Sequence, residues 1–308
     1  MRKILSIITL TIALTFLVLT IYRKDVIKYV MYNVIYKYEV VDKINNNYRK
    51  EDNYSYVQAT DNFYPKNKQE ILNAMYTAIN NGWGEFFFVC SYQYDECEND
   101  VKSIASNEET LTNLNNFVNP YNSYDRLRIT INGFGKISMI VDRLYSEDQI
   151  AFINTKVDEI LATKTKATMT VKQKIKAIHD YVIDITTYDQ ERAKAIKENR
   201  NIAFNYSNIA YGILKDNKAV CGGYADLMAI FLDRLNVENY KISSEDHIWN
   251  LVYLDNTWSH LDLTWDDPVY SDGYQIIDHK YFFISTAKLE SYGTNQHVFN
   301  KDVFTEAK

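Results

Sequence analysis

The sequence predicts a mixed helix-and-sheet protein of two lobes behind an N-terminal apolar segment. Three observations carry this expectation. The chain has 308 residues, 46% hydrophobic and 24% charged, which is the balance of a folded protein and enough length for one large or two modest cores. Helical apolar spacing alternates with short apolar runs bounded by turn residues. Residues 4–22 are uncharged throughout.

The apolar stretch comes first. Met1-Arg2-Lys3 precedes it and Arg23-Lys24 closes it; about 19 residues at helical rise are just enough to cross a bilayer core. It ends Val18-Leu19-Thr20-Ile21-Tyr22, without the small residues of a cleavage site or a following cysteine for lipid attachment. Residues 1–24 therefore read as a single-pass membrane anchor with the body extracytoplasmic. A cleaved signal segment that releases a secreted protein is the alternative, and basic residues on both flanks leave the positive-inside rule undecided.

Residues 25–65 are polar and aromatic, interrupted by Asn45-Asn46-Asn47 and Glu51-Asp52-Asn53, and read as a stalk. A helix is expected over 68–80, where Ile71, Met75 and Ile79 recur at helical spacing, and a buried strand over 85–92. Runs at 127–131 and 136–141 flank Asn132-Gly133-Phe134-Gly135, the pattern of a hairpin. Ser146 with Gln149 forms a capping-box pattern that opens a helix to about Ala162; Thr170 with Gln173 opens another to about Ile185. Residues 66–165 thus form a small α/β lobe, and 166–308 a second domain.

Composition removes several classes. A net charge of −6 opposes nucleic-acid binding, which depends on clustered cations that release counterions; the short basic run at 164–166 reads as solvated surface. The 26 tyrosines, beside 3 prolines and 9 glycines, resemble coding bias and carry no functional weight. Gly-rich phosphate loops, CxxC pairs, HExxH, EF-hand loops and GxSxG elbows do not occur in the sequence, so no metal, no cofactor and no serine nucleophile is expected. Of the three cysteines, Cys90 and Cys97 are close enough to pair in an oxidising compartment or to stay as free buried thiols, and Cys221 is the odd one.

Cys221 opens a stripe of Tyr224, Ala225, Met228, Phe231, Leu232 and Leu235 at three- and four-residue spacing, an amphipathic helix ending before Asn236. A thiol in the first turn faces unpaired backbone N–H groups and the positive end of the dipole, which favour thiolate. Gly222-Gly223 weakens such a start but leaves room for a substrate backbone to approach. Runs at 247–254 and 257–263 surround Asp255-Asn256, a pair suited to a two-residue hairpin. That turn sets Leu254 against Thr257 and Trp249 against Asp262, with His247 and Asp262 as diagonal neighbours ~7 Å apart on one face. A three-residue turn would shift the register by one and separate them. Asp262, between Leu261 and Leu263, is a carboxylate that needs a partner if buried. His247 is that partner; it would then take a proton from Cys221. His260 shares the face and is a rival base. His179, His279 and His297 read as structural.

Three blocks together, Ala219-Val220-Cys221-Gly222-Gly223-Tyr224-Ala225, His247-Ile248-Trp249-Asn250 and His260-Leu261-Asp262-Leu263-Thr264-Trp265-Asp266-Asp267-Pro268, resemble the core of bacterial transglutaminase-like proteins. His179-Asp180-Tyr181 through Asp189, Ser207 to Gly212, and Tyr281-Phe282-Phe283-Ile284-Ser285 with His297 resemble its lead-in and tail, so the likeness spans roughly 166–308. It implies a papain-like α+β fold, with a cysteine-bearing helix packed on an antiparallel sheet that carries His and Asp. It also implies a nucleophile at Cys221, a general base and acid at His247 and an orienting carboxylate at Asp262. Such proteins attack a carboxamide or peptide carbonyl, form a thioacyl enzyme and pass the acyl group to an amine or to water. Asn208, Tyr211 or Asn217 is the candidate second oxyanion donor beside the Cys221 N–H; Trp249, Trp258 and Trp265 are candidate channel walls. The expectation is a bacterial cell-surface acyltransferase or amidohydrolase acting on protein or cell-wall peptide. A cysteine peptidase of the same fold and a non-catalytic surface binding protein are the alternatives.

Overall fold

The computed structural model describes residues 57–308 except 61, 92, 134, 202, 204 and 269–276, together with 10–15, 17, 26 and 29. Most of the anchor expected at 1–24 and most of the stalk expected at 25–65 lie outside the described residues. Among the described residues no helix is long and apolar enough to cross a membrane. Residues 57–308 divide into two compact units, one of 57–108 with 126–142, the other of 109–125 with 143–308.

In the first unit, helix α1 (Lys68–Asn80) starts where the Asn67 side chain accepts from the Glu70 N–H, and it buries Ile71, Met75 and Ile79 as their spacing predicts. Strand β1 (Glu85–Val89) follows. A disulfide joins Cys90, just past that strand, to Cys97, the first residue of α2 (Cys97–Ala105). After α3 (Glu108–Phe117), which belongs to the second unit from residue 109 on, come β2 (Tyr124–Ile131) and β3 (Lys136–Arg143), and the sheet runs β1-β3-β2. Antiparallel pairing sets Phe86 against Met139 and Phe88 against Ile137, so alternate residues of both strands turn into the core. The Asn132 side chain accepts from Lys136 N at 2.9 Å and closes the hairpin turn.

The second unit is α+β. Capping boxes at Ser146/Gln149 and Thr170/Gln173 are both formed, opening α4 (Glu147–Lys164) and α5 (Val171–Ile185). Strand β4 (Thr187–Tyr188), α6 (Gln190–Lys197), α7 (Ala210–Asp216) and β5 (Lys218–Ala219) lead to α8 (Cys221–Arg234). The stripe on α8 predicts an amphipathic helix, but every residue from Gly223 to Leu232 is buried. The helix is central: α5 and α7 pack on it, and so do β6 (Asn239–Ser243) and β7 (Ile248–Leu254). With β8 (Thr257–Leu261) and β9 (Phe282–Ile284) these strands form an antiparallel sheet in the order β6-β7-β8-β9; α9 (Thr286–Ser291) follows. A buried ion pair links helix to sheet, Lys241 Nζ donating to Asp226 at 2.8 Å. The Tyr145 hydroxyl donates to the same carboxylate.

Candidate active site

Local interactions first define the start of α8. Val220 N donates to Ser207 O at 2.9 Å, and the loop carrying Ser207 is held by Asp189, which accepts from the Ser207 hydroxyl at 2.6 Å and from Asn205 Nδ2 at 2.8 Å. The loop backbone then lies directly on the two glycines. A methyl on Gly222 would stand 2.8 Å from the Asn208 carbonyl oxygen, and one on Gly223 2.6 Å from that of Ser207. The glycine pair therefore admits the chain's own loop, where the sequence suggested room for a substrate backbone. It sets Cys221, half-buried and the free member of the three cysteines, at the first turn.

A two-residue parallel bridge, Thr187 with Lys218 and Tyr188 with Ala219, brings Tyr188 alongside the chain two residues before Cys221. The Tyr188 hydroxyl is pushed up to about 12, by burial first and then by negative charge on nearby Cys221 and Asp262.

The hairpin has the expected register. Asp255 and Asn256 both take positive φ, +52° and +62°, the requirement of a two-residue turn matched to strand twist. Leu254 pairs with Thr257 and Asn250 with Leu261, where the ladder ends one residue before Asp262. His247 Nε2 donates to Asp262 Oδ2 at 2.7 Å, with the two side chains 3% and 1% exposed. Burial opposes the imidazolium form of His247. The Asp262 charge and hydrogen bond, together with the Cys221 side chain, outweigh it and push the group up to about 10. Burial likewise opposes the Asp262 carboxylate, and His247 and then His297 overcome it, holding the acid well below the usual carboxylate range. Because Nε2 of His247 is taken by Asp262, Nδ1 is the nitrogen left for the thiol. Asn250 Nδ2 donates to Ala225 O at 2.9 Å and ties β7 to the first turns of α8.

His260 is not a free base. It accepts from Trp249 Nε1 at 2.9 Å, and its Nε2 contacts the Thr286 hydroxyl at 3.0 Å; burial, and then neighbouring His297, pull its pKa down to about 3. Trp249 is 1% exposed and stacks on His247 at 5.5 Å and 16°, so it backs the imidazole and lines no channel. Trp258 packs on Tyr240 and Tyr253. Trp265, half-buried and 6.5 Å from the His247 ring, is the tryptophan placed to border the site. Of the proposed oxyanion donors, Asn208 abuts Gly222. Tyr211 instead packs on Tyr206 and Phe152, and Asn217 is the left-handed residue that ends α7.

The sequence reading missed two site residues. Tyr188 has one sequence signal, its place in the lead-in resemblance. His297 joins the site from 35 residues beyond Asp262, donating from Nε2 to the same Oδ2 at 2.9 Å; its one sequence signal is its place in the tail resemblance. The other two histidines read as structural form a second cluster. His179 contacts Asp266 at 3.1 Å and Asp180 at 3.0 Å, and Asp180 also accepts from His279 at 2.7 Å and Lys176 at 2.6 Å. Ligand atoms of His179, Asp180 and His279, and those of His247, Asp262 and His297, lie within 4.8 Å of one another. In the first group the Lys176 ammonium already lies 2.6 Å from Asp180 and 2.9 Å from His279 Nε2, and in the second both imidazole Nε2 atoms are spent on Asp262 Oδ2; neither is assigned a metal.

Residues 156–263, which include Cys221, His247 and Asp262, match the Transglutaminase-like superfamily core. Two solved structures are similar: a TGase at 19% identity, with 52% of this chain and 49% of that one covered and a TM-score of 0.34, and a candidate cysteine protease from Cytophaga hutchinsonii at 13%, with 50% and 65% covered and a TM-score of 0.29. The chain thus spans about half the length of the first and under two thirds of the second. No curated protein matches the sequence.

Proposed function

The chain carries a transglutaminase-like superfamily domain over residues 156–263, and from that premise we propose that it is a cysteine acyltransferase or hydrolase of carboxamide or peptide carbonyls. Cys221 is its nucleophile, His247 its base and acid, and Asp262 its orienting carboxylate. The observation that carries this reading is the buried contact of His247 with Asp262 at 2.7 Å, which leaves Nδ1 as the imidazole nitrogen for the one free thiol, whose side chain adds to the upward push on His247. His247 Nδ1 takes the thiol proton as sulfur bonds to the carbonyl carbon; backbone N–H groups at the start of α8 and the Tyr188 hydroxyl meet the oxyanion. Collapse of the tetrahedral species passes the His247 proton to the departing amine and leaves a thioester. An amine acceptor makes the reaction transfer; water makes it hydrolysis. The substrate class is protein side chains or cell-wall peptide outside a membrane to which residues 1–24 anchor the chain. The Cys90–Cys97 disulfide supports that compartment, because such bonds persist where the surroundings oxidise.

The test is trapping of a thioacyl adduct from a cell-envelope extract. Cys221→Ala is expected to form none and to lose turnover by at least ~10³-fold, with the fold intact; turnover retained in that variant sinks the proposal. Released ammonia identifies glutamine chemistry, and new amino termini identify proteolysis.

A further inference from the structure

We propose that His297 is a positioning residue for the Cys221–His247 pair, acting through a second N–H donated to the Asp262 oxygen that already receives His247. The inference rests on the triad reading above and assigns that triad a fourth member. An ionised carboxylate only accepts, so the contacts of 2.7 Å from His247 and 2.9 Å from His297 on Oδ2 each require a hydrogen on Nε2. Both rings are therefore fixed in orientation. His247 keeps Nδ1 for the thiol proton, and His297 Nδ1 meets the Thr294 hydroxyl at 2.6 Å. Oδ1 accepts from Trp265 N at 3.2 Å, so three donors clamp one carboxylate. His297 is itself immobilised: it stacks on Tyr281 at 5.1 Å and 20°, meets Trp249 and Trp265 at 5.0 Å each and is 4% exposed.

The second donor also changes how strongly Asp262 holds the His247 proton. An oxygen shared between two N–H groups is a weaker acceptor for each, so Asp262 without His297 would stabilise the imidazolium more. The ionisable groups facing this assembly are Cys221 from α8, Tyr188 from β4, His260 from β8, Asp262 and Asp266 from the segment after it, and Tyr281 before β9; none of them replaces the donor that His297 supplies.

Cys221 is the one free thiol, so iodoacetamide reports on the site without a known substrate: sulfur bonds to the acetamide carbon, the carbon–iodine bond breaks and iodide leaves. Alkylation of the full chain is followed by intact mass from about pH 5 to pH 11, and the alkaline step of the profile marks the loss of the His247 proton. His297→Leu is expected to move that step upward by about 0.5 unit or more, whereas His297→Gln, whose amide N–H reaches the same oxygen, keeps the wild-type position. An unmoved step in His297→Leu, or equal displacement in both variants, overturns the proposal. Should His297→Leu fail to fold, a displaced step in His297→Gln overturns it and a wild-type step supports it. His247→Ala separates the two readings: if it keeps the wild-type profile the triad itself fails, but if it abolishes the step while His297→Leu leaves it unmoved, only the role of His297 fails.

Discussion

Replacing Asp262 by Asn should remove a pH dependence of stability that the wild-type protein carries on its alkaline side. His247 is raised from 6.5 to about 10 in the folded protein, chiefly by the Asp262 charge and hydrogen bond set against a burial penalty. A group raised on folding contributes stability in full below its unfolded value, and that contribution is lost as pH climbs through the folded value. The window is therefore about pH 6.5 to pH 10. At about 1.4 kcal/mol per pKa unit, the displacement corresponds to on the order of 5 kcal/mol. For a unit of this size that is roughly 10–20 °C in Tm between the two ends of the window. Asp262 itself is depressed, so its share is present above its unfolded value and disappears only in acid. Thermal unfolding of wild type and Asp262→Asn, followed by circular dichroism in steps across the window, gives the comparison. Wild type should lose melting temperature on going alkaline, while the variant starts lower and stays flat. A variant that declines in parallel with wild type refutes the account, because the pH dependence would then arise elsewhere.

Other perturbations separate local from long-range causes. Gly222→Ala gains up to ~1 kcal/mol of helix propensity but presses a methyl to 2.8 Å from the Asn208 carbonyl; it should lower both stability and Cys221 alkylation, and Gly84→Ala, with nothing within 4 Å, is the neutral control. Trp249→Phe leaves His260 Nδ1 without its donor and should cost ~1–3 kcal/mol in a urea titration, with a slower alkylation rate because the ring behind His247 has changed. Lys241→Met strands the Asp226 carboxylate in the core, its side chain 3% exposed. The expected loss is ~3–5 kcal/mol, and pairing the change with Asp226→Leu should recover most of it; no recovery would mean that Lys241 acts through packing alone.

Much of this protein was legible where the determining interactions are local. The capping boxes at Ser146 and Thr170 close within three residues, so the starts of α4 and α5 follow from the sequence itself. The hairpin register follows from a two-residue turn and the period of two along a strand, and those together set His247 beside Asp262. The burial of α8 on every side was not legible. Its stripe marks one apolar face, and a sequence does not state how many neighbours will cover the others.

What the amino-acid order determined by itself was the placement of Cys221 at a helix start and the pairing of His247 with Asp262, because turn chemistry and strand periodicity act over a few residues. Only the tertiary structure decided the rest of the site. Tyr188 arrives through a two-residue bridge to a strand 31 residues away, the Asn208 loop is admitted by the absence of two Cβ atoms, and His297 reaches Asp262 across 35 residues. Each depends on packing between segments distant in the chain, where no local periodicity or spacing encodes the contact.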